Sequence, residues 1–384
     1  MRFAFTEQQL ELRAAVRQVL ERQCTAGDLR ALADLRRTGG HAHGDVGRSA
    51  ERWAVLCELG APGLLVGADH GGLGLTDVEL VGVAEEAGRA ALPEPLVESA
   101  ALAAPLLAAV AQAAAPGSEA EAVATGALPA LARGELVATV GGVEATAAGP
   151  ATTTGPPGER GAVTTARVAG ATGAGLLLLA LEAPGSGWEL HAVGADAAWV
   201  TTTPSIDATR DLGTVEWTPG PATVLATGRR AADLVAQTAD RAALATAAQL
   251  LGLADRLIAL AVDYARDRHQ FGRPIGSFQA VQHPLADARV RLEFARPATY
   301  RAADSLARGL PERAEHASMA KALASDAADL AARVALQVHG AIGYTWECDL
   351  HLYLKRAWAL SAAWGDAATH RARVLSAALA RTTD

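Results

Sequence analysis

Between Tyr264 and Gln279 the chain gathers Arg268, Gln270, Phe271, Arg273 and Gln279 around a turn made by Gly272 and Pro274. One helix ends before this turn and another starts after it. Such a corner brings an arginine fork, an aromatic face and a carboxamide into one small volume, a donor set that suits a pyrophosphate and a purine. On these residues alone, a helical hairpin with a surface arginine is the plainer alternative. His283 and His339 have no second ligand at metal spacing, and Cys24, Cys57 and Cys348 form no CxxC pair, so no metal site is expected. Trp346, Trp358 and Trp364 read as packing or rim residues.

The elements that must carry this corner fall into three stretches. Residues 1–132 read as an α-helical domain. Thr6 caps a first helix, and Trp53 to Leu59 and Val78 to Gly88 repeat apolar residues every three and four positions. A glycine-rich turn, His70 to Leu75, lies between them. Residues 133–228 change texture to short runs rich in Thr, Val, Gly and Pro. Strands are predicted over Leu136–Val140, Ala162–Ala169, Leu176–Leu181, Trp188–Val193 and Thr214–Trp217, with a mobile loop over Ala145–Gly161. Residues 229–384 return to helical period: Leu244, Leu251 and Ile258 share one face, and long helices follow through Phe278–Leu306, Pro311–His339 and Leu350–Ala380. The fold class is α+β, ending in a four-helix bundle. Pro297 and Gly365 should bend or interrupt their helices.

Bulk composition narrows the function classes. At 384 residues, 50% of them hydrophobic and 20% charged, the chain is long enough for two or three globular cores. The net charge of −8 and the scattered Lys and Arg argue against a nucleic acid or an anionic membrane as partner. The apolar run Ala100–Ala111 contains Pro105 and is too short to span a bilayer. No secretory signal is visible, and the three cysteines read as buried thiols in a reducing cytoplasm.

The block Arg268 to Gln279 resembles the acyl-CoA dehydrogenase family, whose pattern Arg-x-x-Phe-Gly-x-Pro-Ile-x-x-Phe-Gln it reproduces. Gln337-Val338-His339-Gly340-Ala341-Ile342-Gly343-Tyr344 is similar to the same family's Gln-x-x-Gly-Gly-x-Gly-aromatic turn. Weaker matches are the Phe5-Thr6-Glu7 start, the Gly71-Gly72-Leu73-Gly74 turn, Glu85-Glu86-Ala87-Gly88-Arg89 and Asp207-Ala208-Thr209-Arg210. The resemblance implies an α-helical domain, a β domain and a C-terminal bundle that enclose FAD and an acyl-CoA thioester. It also implies that Arg268, Gln270 and Phe271 grip the adenosine and pyrophosphate part of FAD, with Gln279, Gln337, Gly340 and Ala341 completing a cradle for the flavin of a neighbouring subunit. Ala341 stands where the family has a second glycine.

The reaction implied needs a carboxylate to take the α proton while hydride leaves the β carbon for the flavin. Counting from Arg356, the family's more common glutamate position falls on Gly365, with Asp366 beside it; the alternative position, on the first bundle helix, falls on Asp240, followed by Arg241. Asp240 is preferred because the match includes that arginine, which the family uses near the thioester. The plainer readings are a helix cap for Asp366 and an ion pair for Asp240. The family's Thr-Glu-Pro and Gly-Ser-Asp segments, which wrap the flavin ring, are missing from Ala138–Ala147.

A kept adenosine cradle beside an eroded ring pocket implies a chain that completes a partner's site, as in the family's two-gene actinobacterial enzymes for bulky acyl-CoA substrates such as sterol side chains. The resemblance therefore leaves three readings: a dehydrogenase subunit in a homo-oligomer or a heterotetramer with a homologous chain, a non-catalytic partner subunit, or a flavin monooxygenase of the same fold. An electron-transferring flavoprotein is the family's usual electron acceptor.

Overall fold

Thr6 starts the first helix as its spacing predicts. Its hydroxyl accepts from the Gln9 amide at 3.3 Å, and the Gln9 carboxamide accepts from the Thr6 amide at 2.8 Å, a reciprocal capping box. The computed structural model describes residues 5–37, 49–146, 149–150, 152–153, 163–183 and 187–383. In chain order these hold α1 (Glu7–Gln23), α2 (Ala26–Arg37), α3 (Ala50–Glu58), α4 (Asp77–Arg89), α5 (Ala104–Ala113) and α6 (Glu119–Ala132). The strands follow: β1 (Ala138–Gly141), β2 (Ala145–Thr146), β3 (Gly149–Pro150), β4 (Thr152–Thr153), β5 (Val163–Ala169), β6 (Leu176–Ala183), β7 (Gly187–Gly194), β8 (Ala198–Thr202), β9 (Leu212–Trp217) and β10 (Val224–Thr227). Then come α7 (Gly228–Asp267), β11 (His269–Gln270), β12 (Arg273–Pro274), α8 (Gln279–Ala307), α9 (Arg313–His339), α10 (Leu350–Ala362) and α11 (Ala367–Thr383). The loop expected over Ala145–Gly161 falls largely outside the described residues.

The chain divides into two compact units, one of Met1–Leu35, Asp77–Leu92 and Ala243–Asp384, the other of Arg36–Thr76 and Pro93–Ala242. In the first unit, α1 and α4 join a bundle made by the second half of α7, α8, α9, α10 and α11. Leu244, Leu251 and Ile258 are buried, as their seven-residue spacing requires. Alanines 317, 320, 324, 327, 328, 331 and 335 are fully buried along α9, small enough to let neighbouring helices approach closely. α7 is long and apolar enough to pass for a membrane span, but most of its apolar window is buried inside the protein.

At the crossing of α4 and α7, Gly88 and Gly252 bring backbone against backbone; a methyl group on Gly252 would lie 1.8 Å from the Glu85 carbonyl oxygen. This contact seats the acidic pair of α4 within a ring of cations. Arg13 donates to Glu86 at 2.6 Å and pairs with Glu85 at 2.9 Å, Arg17 donates to Glu86 at 2.8 Å, and the Tyr300 hydroxyl donates to Glu85 at 2.9 Å. Arg296 also pairs with Glu85. Both glutamates are 1% exposed, so their charges are tolerable only because every one of these partners is in place.

The second unit stacks β strands in two four-stranded sheets, ordered β1-β6-β7-β10 and β4-β5-β9-β8. β1 pairs with β6 in parallel, Ala138 opposite Leu176, while β6 and β7 pair antiparallel, Leu179 opposite His191. Leu177, Leu179, Val193, Val163, Val215 and Trp217 form its core. The buried Trp217 indole donates to Thr165 at 3.2 Å, which satisfies its one polar atom.

Two expectations need correction. Helix α8 runs without a break from Gln279 to Ala307 despite Pro284 and Pro297. Its buried stripe, Leu292, Ala295, Thr299 and Ala302, continues across Pro297 and outweighs the lost backbone bond. Gly365, by contrast, does separate α10 from α11. Of the three cysteines, Cys24 is buried whereas Cys57 and Cys348 are partly exposed.

Candidate functional site

The corner after α7 is a two-residue hairpin. β11 and β12 pair His269 with Pro274 and Gln270 with Arg273, leaving Phe271 and Gly272 as the central residues, with φ of 53° and 77°. Positive φ at both central positions matches the twist of the flanking strands, and glycine accepts it freely. Phenylalanine does not, and holding it there costs about 1–2 kcal/mol. The strained turn leaves the ring 92% exposed, edge-on to Phe278 with centroids 6.1 Å apart. Arg273 lies over the other ring, its guanidinium carbon 4.1 Å from the Phe278 centroid. At the base of the hairpin the Ile275 amide donates to the Arg268 carbonyl at 2.8 Å, so the Arg268 side chain projects from a fixed point; it is exposed, as are Gln270 and Gln279.

The second block ends α9. Gly340 has φ 64° and ψ −142°, a conformation nearly reserved for glycine, and its amide donates to Leu336. A methyl group there would meet nothing within 4 Å, so backbone conformation rather than crowding requires the glycine. Gly343 is the opposite case: a Cβ would lie 3.0 Å from Leu336 and 3.1 Å from His339, so its absence lets the turn pack against α9. Gln337 and Ala341 are exposed, and the extra methyl group of Ala341 is accommodated at the surface.

One stack joins the two blocks. The Tyr264 and His339 rings lie 4.3 Å apart and 20° from parallel, which ties the end of α7 to the end of α9. His339 Nδ1 donates to the Ala335 carbonyl at 2.8 Å, and burial pushes its pKa below the usual value, keeping the ring neutral. The hydrogen-bonded histidine expected from the sequence is therefore a clamp.

The two candidate carboxylates sit in different settings. Asp240 is buried in α7, 6% exposed, with half-buried Arg241 next to it. Asp366 is exposed at the start of α11, where it accepts from the Thr369 amide at 2.8 Å and the Thr369 hydroxyl at 2.7 Å; these bonds hold its carboxyl below the usual carboxylate range. Gly365 beside it has φ 90°, and a Cβ would point to within 3.0 Å of His370 Nε2. Three donors lock this elbow from behind. Lys321, fully buried, donates to the carbonyls of Ser361 at 3.0 Å and Gly365 at 2.9 Å, and His370 Nε2 donates to the Trp364 carbonyl at 2.9 Å. Along β1, Ala138, Thr139, Val140 and Gly141 are all buried in the second unit.

Residues 6–135 match the family model of the acyl-CoA dehydrogenase N-terminal domain, and residues 232–379 that of the acyl-CoA dehydrogenase C-terminal domain. The chain belongs to the acyl-CoA dehydrogenase family. Acyl-CoA dehydrogenase IpdE2 of Mycolicibacterium smegmatis is 42% identical over 154 residues, 40% of this chain and 45% of that protein. Acyl-CoA dehydrogenase FadE34 of Mycobacterium tuberculosis is 34% identical over 327 residues, 80% of this chain and 40% of that protein, so each match spans less than half of the relative's length. Among solved structures, the ChsE4-ChsE5 complex from Mycobacterium tuberculosis superposes with a TM-score of 0.82 at 25% identity, covering 97% of this chain and 98% of that one. A Tcur3481-Tcur3483 steroid ACAD variant superposes with a TM-score of 0.79 at 27% identity, covering 98% and 99%.

Within this member of the family the structure adds residues that spacing alone did not single out. Tyr264 and Lys321 act through partners far away in sequence, and His370 turns back across the helix break onto the Trp364 carbonyl, so no regular spacing announces them. Lys321 is the one with a signal: it is the lone lysine of the alanine-rich Ala317–Ala328 run and lies on that run's buried side.

Proposed function

We propose that this chain is a subunit of a flavin-dependent acyl-CoA dehydrogenase that converts an acyl-CoA thioester to the 2-enoyl-CoA in the cytoplasm. The domains that work together are 1–132, 133–228 and 229–384. Arg268, Gln270, Phe271, Gln279, Gln337, Gly340 and Ala341 hold the adenosine and pyrophosphate portion of FAD. The observation that carries this reading is their outward presentation, since every one of these residues is exposed and Phe271 is 92% so. A cradle that faces solvent on one chain is completed by a second, which agrees with the paired chains in the names of the two similar structures. Open space over Gly340 and the unobstructed Arg268 and Phe271 fit a dinucleotide. Bound FAD would supply the hydride acceptor for the β carbon. Asp240 takes the α proton, and Arg241 orients the thioester beside it. An electron-transferring flavoprotein would be the redox partner of such a subunit.

Asp240→Ala tests the assignment of the base. Turnover should fall about 10²–10⁴-fold with bound flavin unchanged; undiminished turnover would place the base on the partner chain. That second reading, a non-catalytic subunit, is favoured by the elbow at Gly365, where φ of 90° and a Cβ contact of 3.0 Å with His370 disfavour any side chain, a carboxylate included. FAD per chain, measured for the chain alone and for the chain co-expressed with a homologue, separates homomer from heteromer. Flavin appearing only in the complex means a shared site.

A further inference from the structure

The first unit contains a pocket of about 280 Å³ away from the cradle hairpin, walled by α1, the start of α2, the end of α4, α7 and α10. Its volume is just below the roughly 300–1,000 Å³ range of small-molecule sites. Leu20 and Ala90 give it an apolar side, and its polar side is cationic. Three guanidiniums face it. Arg17 is committed to Glu86 and Arg89 to Asp255, and Glu86 is in turn bonded by both Arg13 and Arg17. Arg256 differs: among the described residues no carboxylate pairs with it, and its guanidinium carbon stands 5.3 Å from the centroid of the Tyr353 ring. Tyr353 is 2% exposed and burial raises its pKa, so the phenol stays neutral and leaves the charge of Arg256 uncancelled. Glu21 contributes the remaining acidic side chain and is exposed.

Arg256 also hydrogen-bonds the Tyr353 phenol, which anchors the guanidinium and leaves its other N–H groups, out of five, to recognise a planar or tetrahedral oxyanion. The first turn of α2 opens on the same space through Thr25 and Ala26. The Thr25 amide and hydroxyl donate to the Asp28 carboxylate at 2.8 and 2.6 Å, and the Asp28 amide donates to the Thr25 hydroxyl at 3.3 Å, which leaves the Ala26 and Gly27 amides of the first turn to favour negative charge in front of them.

We propose that this pocket binds a small organic anion, its phosphate or carboxylate head on Arg256 and the first turn of α2, its body against Leu20 and Ala90. The site lies outside the residues assigned to flavin and thioester, and its occupancy is read without turnover.

The test uses the full-length protein in whatever oligomer and flavin state it is isolated. Potassium phosphate and sodium propionate are titrated separately by calorimetry, each against sodium chloride at matched ionic strength. Saturable binding of either at one per chain is expected; phosphate saturating points to a phosphorylated ligand, propionate to a carboxylic acid. In Arg256→Gln the affinity should fall at least about ten-fold, the loss of one charge-assisted hydrogen bond. Arg266→Gln, an exposed change on the same helix, should leave it unaltered. Ala26→Glu is a second variant in case the first fails to fold: a carboxylate suits a helix start, yet here it would occupy the pocket mouth and abolish binding. No saturable binding of either anion beyond chloride, or equal binding by wild type and a folded Arg256→Gln, overturns the proposal.

Discussion

Gly252→Ala should be among the most damaging single-methyl changes in this chain. The added carbon would lie 1.8 Å from the Glu85 carbonyl oxygen and 2.6 Å from the Arg89 amide nitrogen, where ordinary contact begins at 3.4 Å. Both obstacles are backbone, so no rotamer change relieves them, and α4 must retreat from α7 by about 1.5 Å. That retreat carries Glu85 and Glu86 away from Arg13, Arg17 and Arg296. Overpacking costs about 1–3 kcal/mol and loosening a buried charge network about 3–5, while alanine returns about 1 through helix propensity, which leaves a net loss of about 3–7 kcal/mol. At about 2–4 °C per kcal/mol the melting temperature, followed by far-ultraviolet circular dichroism, should drop by roughly 6–28 °C. Gly126→Ala is the control: it is exposed in α6 with nothing within 4 Å of the new carbon, and it should be neutral or stabilising by up to about 1 kcal/mol. A Gly252→Ala protein melting within about 2 °C of wild type would refute the close crossing and the reasoning built on it.

Lys321→Met removes three donors from the Ser361 and Gly365 carbonyls and the Ser325 hydroxyl; two orphaned carbonyls, less the relief of a buried ammonium, predict a loss of about 2–4 kcal/mol in urea denaturation. His370 makes stability pH-dependent: burial lowers its pKa from 6.5 to about 4, so its contribution is complete above pH 6.5 and fades as pH falls towards 4. Burial lowers the pKa of His339 and His351 too, so their contributions fade in the same direction, and His370→Gln should lose less stability than wild type when the urea midpoint is followed from about pH 7 to about pH 5. Asp366→Ala should cost about 1 kcal/mol as a lost cap and leave turnover intact; a large loss of turnover at unchanged melting temperature would make Asp366 the base instead.

The family and the course of the fold were legible in the sequence because they rest on local rules. Thr6 declares a helix start, Leu244, Leu251 and Ile258 a buried face, and Gly272 with Pro274 a turn between two helices. The cradle motif is equally local, being held within one turn and one helix end. Several other decisions belonged to the tertiary structure. Pro297 does not break α8, because side chains packed on both sides of it outweigh one missing hydrogen bond. Asp366 and Asp240 have the same side chain, yet one caps a helix in solvent and the other is buried in α7, a difference set by what surrounds them. The clamp of Tyr264 on His339, the lysine that holds the Gly365 elbow and the uncancelled charge of Arg256 each join residues tens of positions apart. Contacts of that kind are chosen by packing, and no spacing along the chain encodes them.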